Sequence, residues 1–169
     1  MSNSLERYAE FLEDYAKYLL NNKPIIDIPL SPQELIDEAS RIRAKLKVRS
    51  EKGKIVINLN EGEAIYLIKF LGEVVFSFDK LYRPLKIEIE IKDRVDESIF
   101  NESQKMCKSI KYDNGFIEVL LAKGDVEHWA HIEGEVVFSF DKLYRPLKIE
   151  IEIKDLMDNE KVLKSADLI

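Results

Sequence analysis

Residues 72–93 read GEVVFSFDKLYRPLKIEIEIKD, and residues 134–155 repeat all 22 of them without a change. The similarity extends backwards from both blocks without a gap, although the earlier halves differ at many positions. An internal repeat of this kind indicates that the chain is built from two copies of one structural unit. The chain therefore contains two related units, which we call repeat 1 (residues 45–93) and repeat 2 (residues 107–155).

Each repeat has the pattern of antiparallel β structure. Within the shared block, residues 74–78 and 87–91 carry apolar side chains at every second position, the period that buries one face of a strand. Upstream, Lys52-Gly53 and Asn114-Gly115 stand at equivalent places and are typical of hairpin turns. The pattern predicts a five-strand meander in each repeat. In repeat 1 the strands include residues 55–59, 64–71, 74–78 and 87–91.

The repeats are expected to share one core. A unit of about 49 residues buries too little apolar surface to be comfortably stable alone. We therefore expect the two units to pack about a pseudo-twofold axis, like the subunits of a homodimer. The fold class predicted is α+β, with N-terminal helices, two tandem antiparallel β-meander repeats sharing a core, and a short C-terminal helix.

The flanking segments have helical patterns. Apolar side chains recur at helical spacing between residues 5 and 20. Ser31-Pro32-Gln33-Glu34 forms a capping box with proline at the first helical position, which predicts a second helix start. The predicted divisions are an N-terminal helical segment at 1–44, repeat 1 at 45–93, a helical linker at 94–106, repeat 2 at 107–155 and a helical tail at 156–169.

Composition limits the kinds of function. Among 169 residues, 46% are hydrophobic and 34% are charged, with a net charge of −6, which argues against a general polyanion binder. No apolar stretch is long enough for a membrane helix, and the N-terminus lacks the pattern of a signal peptide. Cys107 is the single cysteine, so we expect a reducing, cytoplasmic location. Abundant Lys, Glu and Ile with only two Gln resemble the composition of proteins from hot environments.

The N-terminal helix carries many large apolar side chains for its length. They can cover the sheet of the same molecule or form an interface with a subunit or partner, since aromatic side chains are enriched at interfaces. Both interpretations remain open at the level of the sequence. The candidate interface residues are Leu5, Tyr8, Phe11, Leu12, Tyr15 and Leu19.

A basic stripe precedes and enters repeat 1. Its residues are Arg41, Arg43, Lys45, Lys47, Arg49, Lys52 and Lys54. As a strand, residues 45–49 would place three cations on one face. Repeat 1 has a net charge of +2 and repeat 2 of −3. The stripe can therefore follow a phosphate backbone, meet an acidic partner surface or the repeat 2 of another copy, or form a solvated sheet edge protected by its lysines.

Residues with the potential for catalysis or metal binding are few. His128 and His131 lie three apart in a predicted strand, so their side chains point to opposite faces and do not form a ligand pair. Four glutamates alternate with isoleucines beside lysines, as on a solvated strand face. They are Glu88, Glu90, Glu150 and Glu152. We predict no catalytic residue, metal or cofactor.

Repeat 2 resembles a widespread prokaryotic family of short β proteins, a domain family of unknown function. Members of that family contain, in order, a Tyr-Asp near the start, a hydrophobic strand, a glycine-containing turn, a strand ending in acidic residues and a Gly-Ile-Glu-Ile strand. The corresponding segments here are residues 111–113, 116–121, 124–127, 136–141 and 148–151. The similarity covers residues 108–155, and 46–93 more weakly. Ser139 and Lys148 depart from the family's Asp and Gly. Because some members lie in two-gene modules resembling toxin–antitoxin pairs, the resemblance implies a partner-binding role.

Three functions follow from these patterns, in this order. The first is a non-catalytic protein-interaction or structural module that self-associates or binds a protein partner through residues 5–20. The second is a nucleic-acid accessory protein that uses the basic stripe. The third is a small-molecule enzyme with a pocket between the repeats, for which the sequence shows no group of perturbed acids.

Overall fold

The computed structural model describes residues 2–21 and 31–169. Within them the chain forms four helices and one antiparallel sheet of eight strands. The helices are α1 Ser2–Asn21, α2 Pro32–Lys47, α3 Ser98–Met106 and α4 Glu160–Ser165. The strands are β1 Val48–Glu51, β2 Lys54–Asn58, β3 Tyr66–Phe78, β4 Pro84–Ile91, β5 Ile110–Asp113, β6 Phe116–Leu120, β7 His128–Phe140 and β8 Pro146–Asp158. The α+β class is confirmed.

The two repeats interleave in the sheet, whose strand order is β1-β2-β8-β7-β3-β4-β6-β5. Strands β3 and β7 pair along thirteen residues at the centre, with Gly72 opposite Gly134. Outside this pair, β2 of repeat 1 lies beside β8 of repeat 2, and β6 of repeat 2 lies beside β4 of repeat 1. The strands of one repeat therefore form two hairpins that are separated in the sheet.

The prediction of five strands per repeat is wrong, because each repeat contributes four. Residues 64–71 and 74–78 do not form separate strands, since β3 continues through Gly72 without a turn. A Cβ atom at Gly72 would lie 3.2 Å from the carbonyl oxygen of Glu90, and one at Gly134 would lie 2.4 Å from that of Glu152. These glycines allow neighbouring backbones to approach closely rather than marking a turn.

The core contains residues of both repeats. The alternation predicted for residues 74–78 is confirmed, because Val74, Phe76 and Phe78 are fully buried. They belong to one cluster with the equivalent residues of repeat 2, the inner side chains of the hairpins, and residues of α3 and α4. Phe100 of α3 inserts among the phenylalanine rings of this cluster, and the centroid of its ring lies 5.1 Å from that of Phe138.

The helices agree with the sequence at some ends and differ at others. Helix α2 begins at the predicted capping box, where the Ser31 hydroxyl accepts from the N–H of Glu34 at 3.2 Å. It continues to Lys47, beyond the predicted limit of residue 44. Helix α3 falls within the predicted linker. The predicted tail helix at 156–169 is shorter, because β8 stays paired with β7 as far as Asp158 and only Glu160–Ser165 is helical.

Candidate interaction surface

Helix α1 packs against α2, and its contacts with the other described elements are few. Their contact is a separate apolar cluster in which Ala9, Leu12 and Ala16 of α1 meet residues of α2. Of the predicted interface residues, Leu12 is therefore buried within the molecule and is not available to a partner. Tyr15 and Leu19 are half-buried at the border of the same cluster.

The remaining predicted interface residues are exposed. Leu5 is 42% exposed, Tyr8 51% and Phe11 60%, and Tyr18 is exposed to a similar degree. The rings of Phe11 and Tyr15 stack with centroids 6.1 Å apart, and those of Tyr15 and Tyr18 stack at 6.4 Å. We call Tyr8, Phe11, Tyr15 and Tyr18 the ring face. It continues the apolar arc of α1 beyond the part that α2 covers.

Two charges lie along one border of the ring face. Arg7 and Asp14 are both exposed and are separated by seven residues, which is about two turns of helix. They consequently lie on the same side of α1, two turns apart. Neither forms an ion pair with another residue that the structure describes.

The basic stripe does not form the predicted strand. Arg41, Arg43, Lys45 and Lys47 lie in α2, and only Arg49 and the residues after it belong to the β1–β2 hairpin. In a helix, residues two apart differ in direction by about 200°, so alternate cations point to different sides. Three buried residues follow a helical spacing, namely Leu35, Ala39 and Ile42. Their burial outweighs the alternation of charged and apolar residues, so the segment forms a helix and not a strand.

Most cations of the stripe are paired within the molecule. Arg41 pairs with Glu38 at 3.1 Å, Arg43 pairs with Glu13, Arg49 pairs with Glu51 at 3.2 Å, and Lys54 pairs with Glu150 at 3.9 Å. Lys45, Lys47 and Lys52 have no ion pair with a described residue. Because the charges are dispersed and largely compensated, the geometry does not favour the nucleic-acid alternative over the others, and it stays a prediction.

The identical blocks form two turns with the same hydrogen bonds. In the first turn, residues 79–83, Asp79 accepts from the N–H groups of Leu81 and Arg83 at 2.9 Å and from Nε of Arg83 at 2.7 Å. In the second turn, residues 141–145, Asp141 accepts from Leu143 and Arg145 in the same way. The apolar pattern gives no indication of these contacts, and their available signal in the sequence is an Asp four positions before an Arg in both blocks.

The two turns differ in what contacts the arginine. The Arg83 side chain is 11% exposed, and its Nη2 donates to Oε2 of Glu38 on α2 at 3.2 Å. This hydrogen bond holds the pKa of Glu38 below its ordinary value and outweighs the opposing effect of partial burial, with Arg41 adding to it. The Arg145 side chain is 47% exposed, and among described residues only Asp141 accepts hydrogen bonds from it.

The outer face of the sheet carries a depression of about 340 Å³ between the repeats. Its lining includes Glu73, Val75, Glu88, Phe116 and His131. The histidine lies 3.4 Å from Glu73. A second depression, of about 470 Å³, lies between Arg83 of repeat 1 and Lys123 of repeat 2. Both are counterparts of the third alternative, a pocket between the repeats, and that alternative stays a prediction.

The glutamates of the shared block lie beside lysines, as the sequence predicts. Distances between lysine Nζ and glutamate oxygens are 3.1 Å for Glu88 and Glu90, 2.7 Å for Glu150 and 3.0 Å for Glu152. His128 stacks on Tyr82 with centroids 4.2 Å apart. Within residues 2–21 and 31–169, no three His, Cys, Asp or Glu side chains are grouped so that they would hold a metal ion.

Comparisons with known proteins return no match among protein families, curated proteins or solved structures. The resemblance of repeat 2 to a family of short β proteins consequently stays a prediction. None of the helices in the described parts of the chain has both the length and the apolar character needed to cross a bilayer.

Proposed function

We propose that this protein is a non-catalytic interaction module that self-associates through the ring face of α1. The observation that carries the proposal is the exposure of Tyr8 and Phe11 on a helix whose adjacent apolar face is already buried against α2. Large rings grouped at the surface are typical of interfaces and costly to leave in water. An intracellular setting, in which Cys107 stays a thiol, belongs to the same proposal.

A second copy of the chain fits this face. Two α1–α2 hairpins, one from each copy, form a four-helix bundle that buries the ring faces against each other, the usual solution for amphipathic helix pairs. A twofold axis makes such a contact isologous, with the same patch on both sides. With this axis perpendicular to α1, the two α1 helices run antiparallel.

Charge complementarity supports the antiparallel arrangement. When identical helices cross antiparallel about a twofold axis, the same border of each meets the other in reverse order. Arg7 of one copy then lies opposite Asp14 of its partner, and the reverse pair forms at the other end. A parallel arrangement does not bring these two residues together, because different borders of the two helices would face each other.

The main prediction concerns Phe11. Phe11→Gln removes the most exposed ring of the predicted interface without adding a charge, so we expect the protein to become monomeric. The mass in solution is measured by light scattering over a range of concentrations. Phe116→Gln is a matched control, because Phe116 is 58% exposed against 60% for Phe11 but lies on the sheet. If both variants have the wild-type mass, self-association through α1 is wrong.

A charge exchange tests the orientation of the helices. Arg7→Asp and Asp14→Arg each place like charges opposite one another in the antiparallel dimer, so we expect each single variant to dissociate more readily. The double variant Arg7→Asp/Asp14→Arg restores both pairs and should regain most of the wild-type affinity. Sedimentation at low salt measures the dissociation constants, since screening weakens such pairs. Failure of the double variant to recover would contradict the antiparallel contact.

We also infer that the repeats are related by a pseudo-twofold axis through the Gly72–Gly134 pair. Support comes from the register of β3 and β7, in which Tyr66 faces Phe140 and Phe78 faces His128. Tyr66 is equivalent to His128 and Phe78 to Phe140, at an offset of 62 residues, so the second pair is the counterpart of the first. Equivalent hairpins then flank the central strands on both sides.

A further inference from the structure

The two turns of identical sequence have different neighbours, although they are built alike. Helix α2 packs against the first turn, while the arginine of the second turn, Arg145, remains exposed. Because the same residues in the same hydrogen-bonded arrangement already bind a helix once in this molecule, the contact between α2 and the first turn serves as a template for the second.

In the template, two side chains of α2 make the polar contacts. Glu38 accepts from the guanidinium of Arg83, and Arg41 holds the same carboxylate with its Nε and Nη2 at 3.2 and 3.1 Å. Nη1 of Arg41 donates to the carbonyl oxygen of Lys123 at 2.7 Å. The helix is thereby fixed to the turn and to the loop beside it. Arginine–carboxylate hydrogen bonds of this kind are among the stronger polar contacts of proteins.

The backbone beside the two turns is also equivalent. Near the first turn, the N–H groups of residues 121 and 122 donate to the carbonyl oxygen of Leu85. Near the second, those of residues 59 and 60 donate to the carbonyl oxygen of Leu147. The carbonyl group of Glu61 corresponds in sequence to that of Lys123, which accepts from Arg41. Both turns thus offer an arginine and a neighbouring loop carbonyl.

Space for a ligand exists beside the second turn. At Gly124 a Cβ atom would lie 3.2 Å from Cδ of Arg41, so the template helix fills the volume above this glycine. At the equivalent Gly62, the nearest atoms to the same point among the described residues belong to Leu147 and Asp141 and not to a helix.

We infer that the second turn is a binding site for a partner protein's helix that presents a glutamate and, three residues later, an arginine. The glutamate pairs with Arg145, and the arginine donates to the loop carbonyl of Glu61, as Glu38 and Arg41 do at the first turn. The site does not involve α1 and is independent of self-association. Its ligand chemistry is a carboxylate carried on a helix.

A peptide of residues 31–47 is the probe, because it contains the template contacts and its own capping box. A labelled peptide is titrated with the full-length protein and followed by fluorescence anisotropy. We expect saturable binding, weakened at least tenfold by Glu38→Gln in the peptide or by Arg145→Gln in the protein. Arg145→Gln leaves the backbone hydrogen bonds of Asp141 in place, and its thermal unfolding curve verifies that it is folded. Absence of saturation at about 1 mM protein would overturn the inference.

Two further measurements identify where the peptide binds. In nitrogen–proton correlation spectra, the Nε resonance of Arg145 should shift and that of Arg83 should not. A shift confined to Arg83 means that the peptide displaces the molecule's own α2, which would overturn the inference. Repeating the titration with Phe11→Gln separates this site from self-association. If Arg145→Gln alone lowers the mass in solution, the occupant is a second copy and the partner-helix inference is wrong.

Discussion

Arg83 connects its own turn to helix α2 through hydrogen bonds of its guanidinium group. Its Nε is held by Asp79 in its own turn, and its terminal nitrogens are held by Glu38 of α2. Both partners are carboxylates, so the arginine remains paired although it is largely withdrawn from water. The two carboxylates compensate the charge of the arginine, whose withdrawal from water would otherwise be costly.

The attachment of α2 should therefore depend on pH. Because the pKa of Glu38 is lowered in the folded protein, its ionised form stabilises the fold above the ordinary glutamate pKa of about 4.3. This contribution is lost as the pH falls through the lower, folded-state value. We expect Glu38→Gln to reduce the free energy of unfolding near neutral pH, and the difference from wild type to shrink on acidification to about pH 3. Urea unfolding at several pH values measures it.

A matched variant distinguishes this effect from a general loss of charge. Glu102 forms an exposed ion pair with Lys105 at 3.3 Å. Exposed pairs contribute little to stability, so Glu102→Gln should leave the free energy of unfolding nearly unchanged at every pH. A Glu38→Gln effect of constant size between neutral and acid pH would contradict the role given to its ionised form.

Among single residues, sequence patterns located the buried positions of the strands and the capping residues of α2. They did not locate the Asp79–Arg83 and Glu38–Arg83 contacts. The first is local but has no apolar period, and the second joins residues 45 positions apart. A hydrogen bond between distant charged residues leaves no periodic signal in a sequence, since nothing in either segment specifies the other.

At the scale of elements, α3 is short but central to the core. Phe100 is fully buried and contacts Phe70, Tyr112, Phe138 and Phe140 edge-on or stacked. A nine-residue helix has little stability of its own, so its position depends on this side chain. Phe100 therefore links the helix between the repeats to strands of both.

Removal of this ring should be among the most destabilising single changes. Phe100→Ala creates a large cavity, and we expect it to lower the free energy of unfolding by about 3–5 kcal/mol. Phe116→Ala is the control, because Phe116 is 58% exposed and its loss should cost less than about 1 kcal/mol. Urea unfolding measures both. Equal losses for the two variants would show that Phe100 does not hold the core together.

Helix α2 shows why the secondary structure was only partly predictable. Alternating charged and apolar residues over positions 41–49 have the period of a strand, yet the chain is helical to Lys47. Ile42 of this segment also continues the helical spacing of Leu35 and Ala39, and burial of these three residues against α1 selects the helix. Where one segment satisfies both periods, only its neighbours in space decide between them.

At the scale of the whole molecule, the repeat and its hairpins were predictable, but the order of the strands was not. Alternation shows that a strand has one buried face and says nothing about which strand lies beside it. The structure pairs β2 with β8 and β4 with β6, so each half of the sheet contains strands of both repeats. Periodicity places the helical segments along the chain. The exposure of the ring face depends instead on which part of α1 packs against α2, and neither helix alone specifies that contact.

This strand order has a consequence for how the chain acquires its fold during synthesis. The partner of β2, which ends at Asn58, is β8, which begins at Pro146 and ends at Asp158. Repeat 1 therefore cannot complete its hydrogen bonding until the last strand of repeat 2 has been synthesised. Pairings between distant segments are slow to form, and an unpaired strand edge is prone to aggregate while it waits. The edge of β2 that pairs with β8 is thus exposed on the growing chain until β8 has been made.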